Sequence, residues 1–187
     1  MEKLQPHRGD ILVSEPSTIG DLTFNRSVIL LAHLDAEGVV GFILNKPLDI
    51  NLEELIPEIE ENFKIFNGGP VEQENLYFIH NVPHLILESV EIKEGIYWGG
   101  SFETIVELIN TRQITSANIK FFLGYSGWDP SQLETEIDMN TWVIDYETKA
   151  NDILNSLKYG QFWQEKMKKL GGDYLIWSNA PENPNYN

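Results

Sequence analysis

The run Gly124-Tyr125-Ser126-Gly127-Trp128-Asp129-Pro130-Ser131-Gln132-Leu133-Glu134-Thr135-Glu136-Ile137 carries the reading of the fold, because it sets a strand end, a turn and a helix start side by side. Residues 119–123 ahead of it form an apolar, β-prone run, and Gly124 and Gly127 tolerate the positive φ angles that a sharp reversal needs. A turn is therefore expected at the two glycines. Asp129 has the makings of a helix N-cap: Pro130 follows at the first helical position, where its missing N–H costs nothing, and Gln132 lies three residues on, as in a capping box. Leu133 and Ile137 face one way toward a core, Glu134 and Glu136 favour the positive end of the helix dipole, and residues 142–144 read as the next strand.

Working outward, residues 9–13 and 27–32 read as strands. The second is aliphatic throughout 28–32 and is expected to be covered on both faces. Residues 39–44 return as its antiparallel partner across Asp35-Ala36-Glu37-Gly38, and Asn45-Lys46-Pro47 stops the pair. Asn51 with Glu54 three on predicts a short acidic helix through Leu52, Leu55 and Ile56, restarted at Pro57 and reaching Ile59. Short strands are expected at 64–66, 76–80, 90–92 and 96–98, with Gly68-Gly69-Pro70 as a turn. Ser101 caps a helix over 102–110. Beyond the opening run, one helix starts at Thr148 or Ala150 and uses Ile153, Leu154 and Leu157. A second covers 162–170 and ends at Gly171-Gly172, and residues 175–177 form a last strand or a docked hook. Strands with helices inserted between hairpins argue for an α+β fold with largely antiparallel sheets. The expectation is one domain over 1–178 and a frayed tail over 179–187.

Composition narrows the function classes. Zero cysteines exclude a disulfide framework and thiolate metal sites. No apolar signal-peptide segment is visible near Met1, and the aliphatic run at 28–32 is far below the ~20 residues that span a bilayer, so a cytoplasmic protein without membrane contact is expected. Thirteen Lys and Arg against 29 Asp and Glu give a formal charge of −16. Such a chain is repelled by phosphate backbones, which disfavours direct nucleic-acid binding.

The opening run resembles the signature of the bacterial YqgE/AlgH family. The resemblance extends through Gly9-Asp10-Ile11-Leu12-Val13, Phe24-Asn25-Arg26-Ser27-Val28, Gly41-Phe42-Ile43-Leu44-Asn45-Lys46-Pro47, Gly68-Gly69-Pro70-Val71, His80, Gln132-Leu133-Glu134 and Trp142. It covers about the first four fifths of the chain and is weakest from about Ala150, which marks that part as specific to a subgroup. The resemblance implies antiparallel sheets that branch and curl into a pseudo-barrel, with no established activity, cofactor or catalytic residue. It also implies a transcriptional-regulator role of unestablished mechanism. Ser126 stands where similar sequences usually have Ala, which undercuts catalysis by that hydroxyl.

Residue by residue, no catalytic or metal constellation is expected. Gly124 to Trp128 has the setting of a nucleophile elbow, but Trp128 occupies the place of its second glycine. His80 and His84 have helical ligand spacing, yet Pro83 and the strand pattern argue against a helix, and His80 and His33 read as hydrogen-bonded strand-end residues. Lys158, Lys166, Lys168 and Lys169 are a basic cluster that answers a helix C-terminus. Arg26, Asn45 and Lys46 end apolar strands, and with Tyr125 and Trp128 they would make a cationic and aromatic pocket if they share one rim; otherwise Arg26 serves a structural salt bridge. The leading reading is a regulatory protein that binds a protein partner, without cofactor. The alternatives are a binder of an anionic small molecule, or a hydrolase-like enzyme, using that pocket, and a direct DNA-binding regulator.

Overall fold

A strand buried on both faces sends alternate side chains to two different cores, and the second strand, β2 (Val28–Leu34), does this: Val28, Leu30 and Ala32 join one, Ile29 and Leu31 another. The computed structural model describes residues 5–16, 21–155 and 159–180. Its elements in chain order are β1 (Ile11–Ser14), β2, β3 (Val39–Ile43), β4 (Pro47–Asn51), α1 (Leu52–Leu55), β5 (Lys64–Asn67), β6 (Val71–His80), β7 (Val90–Lys93), β8 (Ile96–Trp98) and α2 (Phe102–Asn110), followed by β9 (Ile119–Trp128), α3 (Pro130–Asp138), β10 (Trp142–Asp145), α4 (Ala150–Leu154), α5 (Tyr159–Leu170) and α6 (Tyr174–Ser178).

The strands form one sheet in the order β10-β1-β2-β3-β9-β6-β8-β7, with β4 and β5 branching off. The branch lies on β9, whose one edge takes β6 from residue 119 to 125 while the other takes β5 and then β3 end to end. Only the β5–β9 pairing is parallel among those described. The sheet curls into a half-barrel, and the backbone of Gly9 meets β7 so closely that a Cβ there would lie 2.8 Å from that of Lys93. Inside the curl, Ile11, Leu30, Phe42, Phe66 and Phe122 pack with Trp163 and Met167 of α5. Outside it, α2 buries Ile105 and Ile109 with Phe78 and Phe121, and α3 buries Leu133 and Ile137 with Ile29 and Trp128. Thus Phe121 and Phe122, adjacent on β9, serve opposite faces.

Several local expectations need correction. No reversal occurs at Gly124 and Gly127; β9 runs straight through them to Trp128. Gly124 serves close backbone approach instead, because the β5–β6 link crosses over β9, whereas a Cβ on Gly127 would meet only side-chain atoms. A Cβ on Gly68 would stand 2.1 Å from the Gly124 carbonyl oxygen, and one on Gly69 would stand 2.3 Å from Tyr125 backbone atoms. Gly124, at φ +71°, sits opposite a bulge that lets residues 72–75 of β6 loop out. Asp129 does start α3 with Pro130 after it, but its side chain makes no capping bond and Gln132 reaches Glu136 instead. Helix α1 stops at Leu55 because Ile56 precedes Pro57 and is pushed out of the helical region. Residues 175–177 belong to helix α6, neither strand nor hook: three apolar residues do not distinguish the two, and Gly171-Gly172 supplies a fresh start. Residues 181–187 of the expected tail, and Leu157 and Lys158, lie outside the described residues.

Candidate functional site

The approach to β2 is a built loop. The Asp21 carboxylate accepts the N–H groups of Thr23 and Phe24, at 2.8 and 3.0 Å, and the Asp21 carbonyl accepts that of Asn25. Arg26 then sits in the left-handed region at φ +54°. Asn45, nearly buried just after β3, stitches this loop to the sheet: its Oδ1 accepts the Val28 N–H at 2.9 Å and its Nδ2 donates to the Arg26 carbonyl at 2.8 Å. The Arg26 guanidinium lies 4.9 Å from the Trp163 ring centroid and donates to the Ala180 carbonyl at 2.8 Å. Lys46 Nζ donates to the Thr23 carbonyl at 2.5 Å. Leu22, Asn25, Arg26, Asn45, Lys46, Pro47 and Gly160 line one hollow of about 480 Å³.

Three of the five expected residues therefore converge, and two do not. Tyr125 and Trp128 line a separate hollow of about 340 Å³ with His33, Asp35 and Val39. The β3–β9 pairing separates the two, since Tyr125 and Trp128 stand at the far end of β9. Trp128 is buried, and its indole N–H donates to Glu136 at 3.0 Å; Trp142 donates to the same Glu136 oxygen at 2.7 Å. Phe24 packs on both indoles. Tyr125 packs edge-on against Tyr77.

Ser126 is buried, and its hydroxyl donates to the Gly68 carbonyl at 3.1 Å. His80 lies near the opposite end of β9, paired with Ile119; its Nδ1 accepts the Val82 N–H and its Nε2 faces the Gly99 carbonyl. Desolvation lowers its pKa, so the ring is a neutral, hydrogen-bonded core residue. No group of three or more possible metal ligands occurs among the described residues. His33 pairs with Asp35 at 2.8 Å.

Two buried cations escaped the sequence reading. Lys120, inside the run taken as apolar, is 3% exposed, with Nζ 4.1 Å from the Phe66 ring centroid, 5.2 Å from that of Tyr159 and 3.5 Å from the Ile153 carbonyl. Burial pushes its pKa down to about 7. The signal was there, a charge within a strand covered on both faces. Lys166 is a buried partner of Asp145 at 2.8 Å and also bonds Thr148, so it does not belong to a solvated helix end. Burial raises the Asp145 pKa, but the bonds from Lys166 and the Glu147 N–H outweigh that and hold the carboxyl below its ordinary value. Lys169 pairs with Glu147 at 2.7 Å, and Lys168 is exposed.

A family model described as AlgH-like matches residues 11–175. The chain belongs to the AlgH-like family. The match runs through α4 and α5 into α6, so the C-terminal helices belong to the family's domain and are not the subgroup addition expected from their sequence. A UPF0301 protein of Cytophaga hutchinsonii is 40% identical over 185 residues, covering 96% of this chain and 98% of that protein. Another, BF2109 of Bacteroides fragilis, is 39% identical over 98% of this chain and 93% of its own length. The AlgH-like fold recurs in the crystal structure of DIP2367 from Corynebacterium diphtheriae, at a TM-score of 0.71 and 20% identity over 96% of this chain and 95% of that one. It recurs also in the solution structure of AlgH from Pseudomonas aeruginosa, at 0.68 and 20% over 97% and 98%. At that identity the likeness concerns the fold.

Proposed function

We propose that this AlgH-like protein is a non-catalytic, cytoplasmic interaction protein that regulates by binding a protein partner. The observation that carries this reading is an apolar surface at the α5–α6 corner. Leu170 lines two adjoining hollows, one shared with Tyr146 and the paired Glu147 and Lys169, the other with Glu15, Asp173 and Trp177. Tyr146, Leu175 and Trp177 are exposed there as well, and Ile176 is 73% exposed. Exposed apolar groups clustered beside carboxylates mark a contact surface. In a chain of net charge −16 they fit a partner segment that alternates apolar side chains with Lys and Arg. Regulation of transcription then goes through that partner, because a duplex would meet the same negative field.

The test is capture from native extract by the full chain beside its Ile176→Asp variant, with the retained protein sequenced. Retention of one stoichiometric basic protein by the wild type alone is expected. Equal capture by both, no capture, or self-association that the substitution abolishes would sink the reading. No helix among the described residues is long and apolar enough to cross a membrane. Fluorescence anisotropy with duplex DNA at low salt is expected to show no binding; a salt-sensitive rise would favour a direct DNA-binding regulator.

A further inference from the structure

We propose that the hollow at the tip of the β2–β3 hairpin binds a small organic cation, an alkylguanidinium or alkylammonium. Tyr125 and Trp128, which the sequence pattern grouped with Arg26 and Lys46, line it beside the carboxylates of Asp35 and Glu37 instead. An aromatic face with carboxylates at its edge attracts a cation, because the ring quadrupole is negative over the face and the carboxylates add their own charge.

A missing side chain presents the ring. Tyr125 and Gly127 lie two apart on β9 and so on the same side of it. The ring leans along the strand into the room that Gly127 leaves: a Cβ there would stand 3.3 Å from Tyr125 Cε2. Gly127 is itself exposed, so the half-buried ring stays open toward the hollow. Tyr77 meets the ring edge-on, with centroids 5.7 Å apart and planes at 84°, and the Tyr77 hydroxyl is tied to Glu72. These contacts fix the aromatic wall before any ligand arrives. Asp35 is fixed as well: its Oδ1 accepts the N–H groups of Glu37 and Gly38 at 2.8 and 3.1 Å, and its Oδ2 bonds His33 at 2.8 Å. Those bonds, the one from the Glu37 N–H foremost, hold its carboxyl below the ordinary carboxylate range, so it is an anion at neutral pH. Glu37 is exposed at the same lip. A planar guanidinium can stack on the ring while its edge donates to a carboxylate, and Val39 and Val40 offer apolar wall to an alkyl chain. A volume of about 340 Å³ suits one such ligand.

The experiment is an amide-resolved NMR titration of the full chain, at constant ionic strength, with butylguanidinium, butylammonium and the neutral isostere butylurea. Saturable shifts centred on Asp35, Glu37, Gly38, Val40, Tyr125 and Gly127 are expected with both cations, and none with butylurea. Tyr125→Leu is expected to weaken both cations about fivefold, the loss of one cation–π contact, while Tyr125→Phe keeps their affinity. Glu37→Gln, at an exposed position, should keep the fold and weaken both about threefold, within the worth of one solvent-exposed ion pair. No saturation by about 20 mM, shifts spread over the acidic surface, an equal response to butylurea, or affinity unchanged in Tyr125→Leu or in Glu37→Gln would each overturn the proposal. The hollow shares no lining residue with those at the α5–α6 corner, so the result is independent of partner binding there.

Discussion

Replacing Lys120 by Met should make the protein more stable, and by an amount that depends on pH in a defined direction. In the unfolded chain a lysine titrates near 10.4, whereas burial brings Lys120 down to about 7. Between those values the unfolded state holds the proton and the folded state does not, so the unfolded state binds more protons and stability rises with pH. A difference of one proton is worth about 1.4 kcal/mol per pH unit, or about 2–3 kcal/mol between pH 7 and 9. The rings of Phe66 and Tyr159 favour the charged amine, so this is an upper figure. Against a typical total of about 5–15 kcal/mol it remains a large share. The assay is denaturant unfolding at pH 7, 8 and 9 for wild type and Lys120→Met. The upper limit of pH keeps clear of the tyrosines: Tyr174, held by Glu15, titrates only at about 12, and its folded-state proton favours stability that is lost at higher pH. The variant's advantage should be largest at pH 7 and shrink toward pH 9. Parallel stability profiles would refute the reasoning, since a solvated or permanently paired amine adds no slope in that window.

Three further outcomes follow from the packing. Glu136→Ala strips the shared acceptor from the indoles of Trp128 and Trp142, and two buried donors left unmatched should cost about 2–5 kcal/mol, read by denaturant unfolding and a shifted tryptophan emission. Gly68→Ala must push its methyl into the Gly124 carbonyl, backbone against backbone; it should lower the melting temperature by more than about 10 °C or prevent accumulation of folded protein, whereas a melting point within a degree or two of wild type would contradict the close crossing. Asp145→Ala leaves the Lys166 ammonium buried without its carboxylate and should cost about 3–5 kcal/mol, while Asp145→Leu with Lys166→Met should recover most of it; a double variant no better than the single one would contradict the pair's desolvation cost.

Much of this architecture is legible in the chain because it depends on neighbours in sequence. The aliphatic run at 28–32 signals a strand buried on both faces, and Pro130 with Leu133 and Ile137 signals a helix start and its inward face. Helix α2 falls at the expected residues because its apolar period is unbroken; Ser101 stands at the N-cap position but its hydroxyl accepts from that of Thr104 and makes no capping bond. Glycine is where such reading fails: a residue without a side chain answers equally well to a turn or to a second backbone lying across it. Gly68 and Gly124 meet only because the β5–β6 link crosses β9. The candidate site divides for the same kind of reason. Arg26, Asn45 and Lys46 come together through the antiparallel pairing of β2 with β3, which a hairpin already predicts, whereas the side of the sheet reached by Tyr125 and Trp128 depends on the branch at β9.

By itself, then, the sequence determines the type of the longer strands and helices, the acidity, the absence of cysteine chemistry and the family, but not the helix at Tyr174–Ser178 or the strand at Pro47–Asn51. Tertiary structure alone decided that Lys120 is buried, that Lys166 faces Asp145 and that Glu136 holds two indoles, since each depends on what a long-range contact takes away from water. Short-range pattern records which face a residue points to. It carries no record of what stands opposite, and that is what sets a charge's solvation and a glycine's purpose.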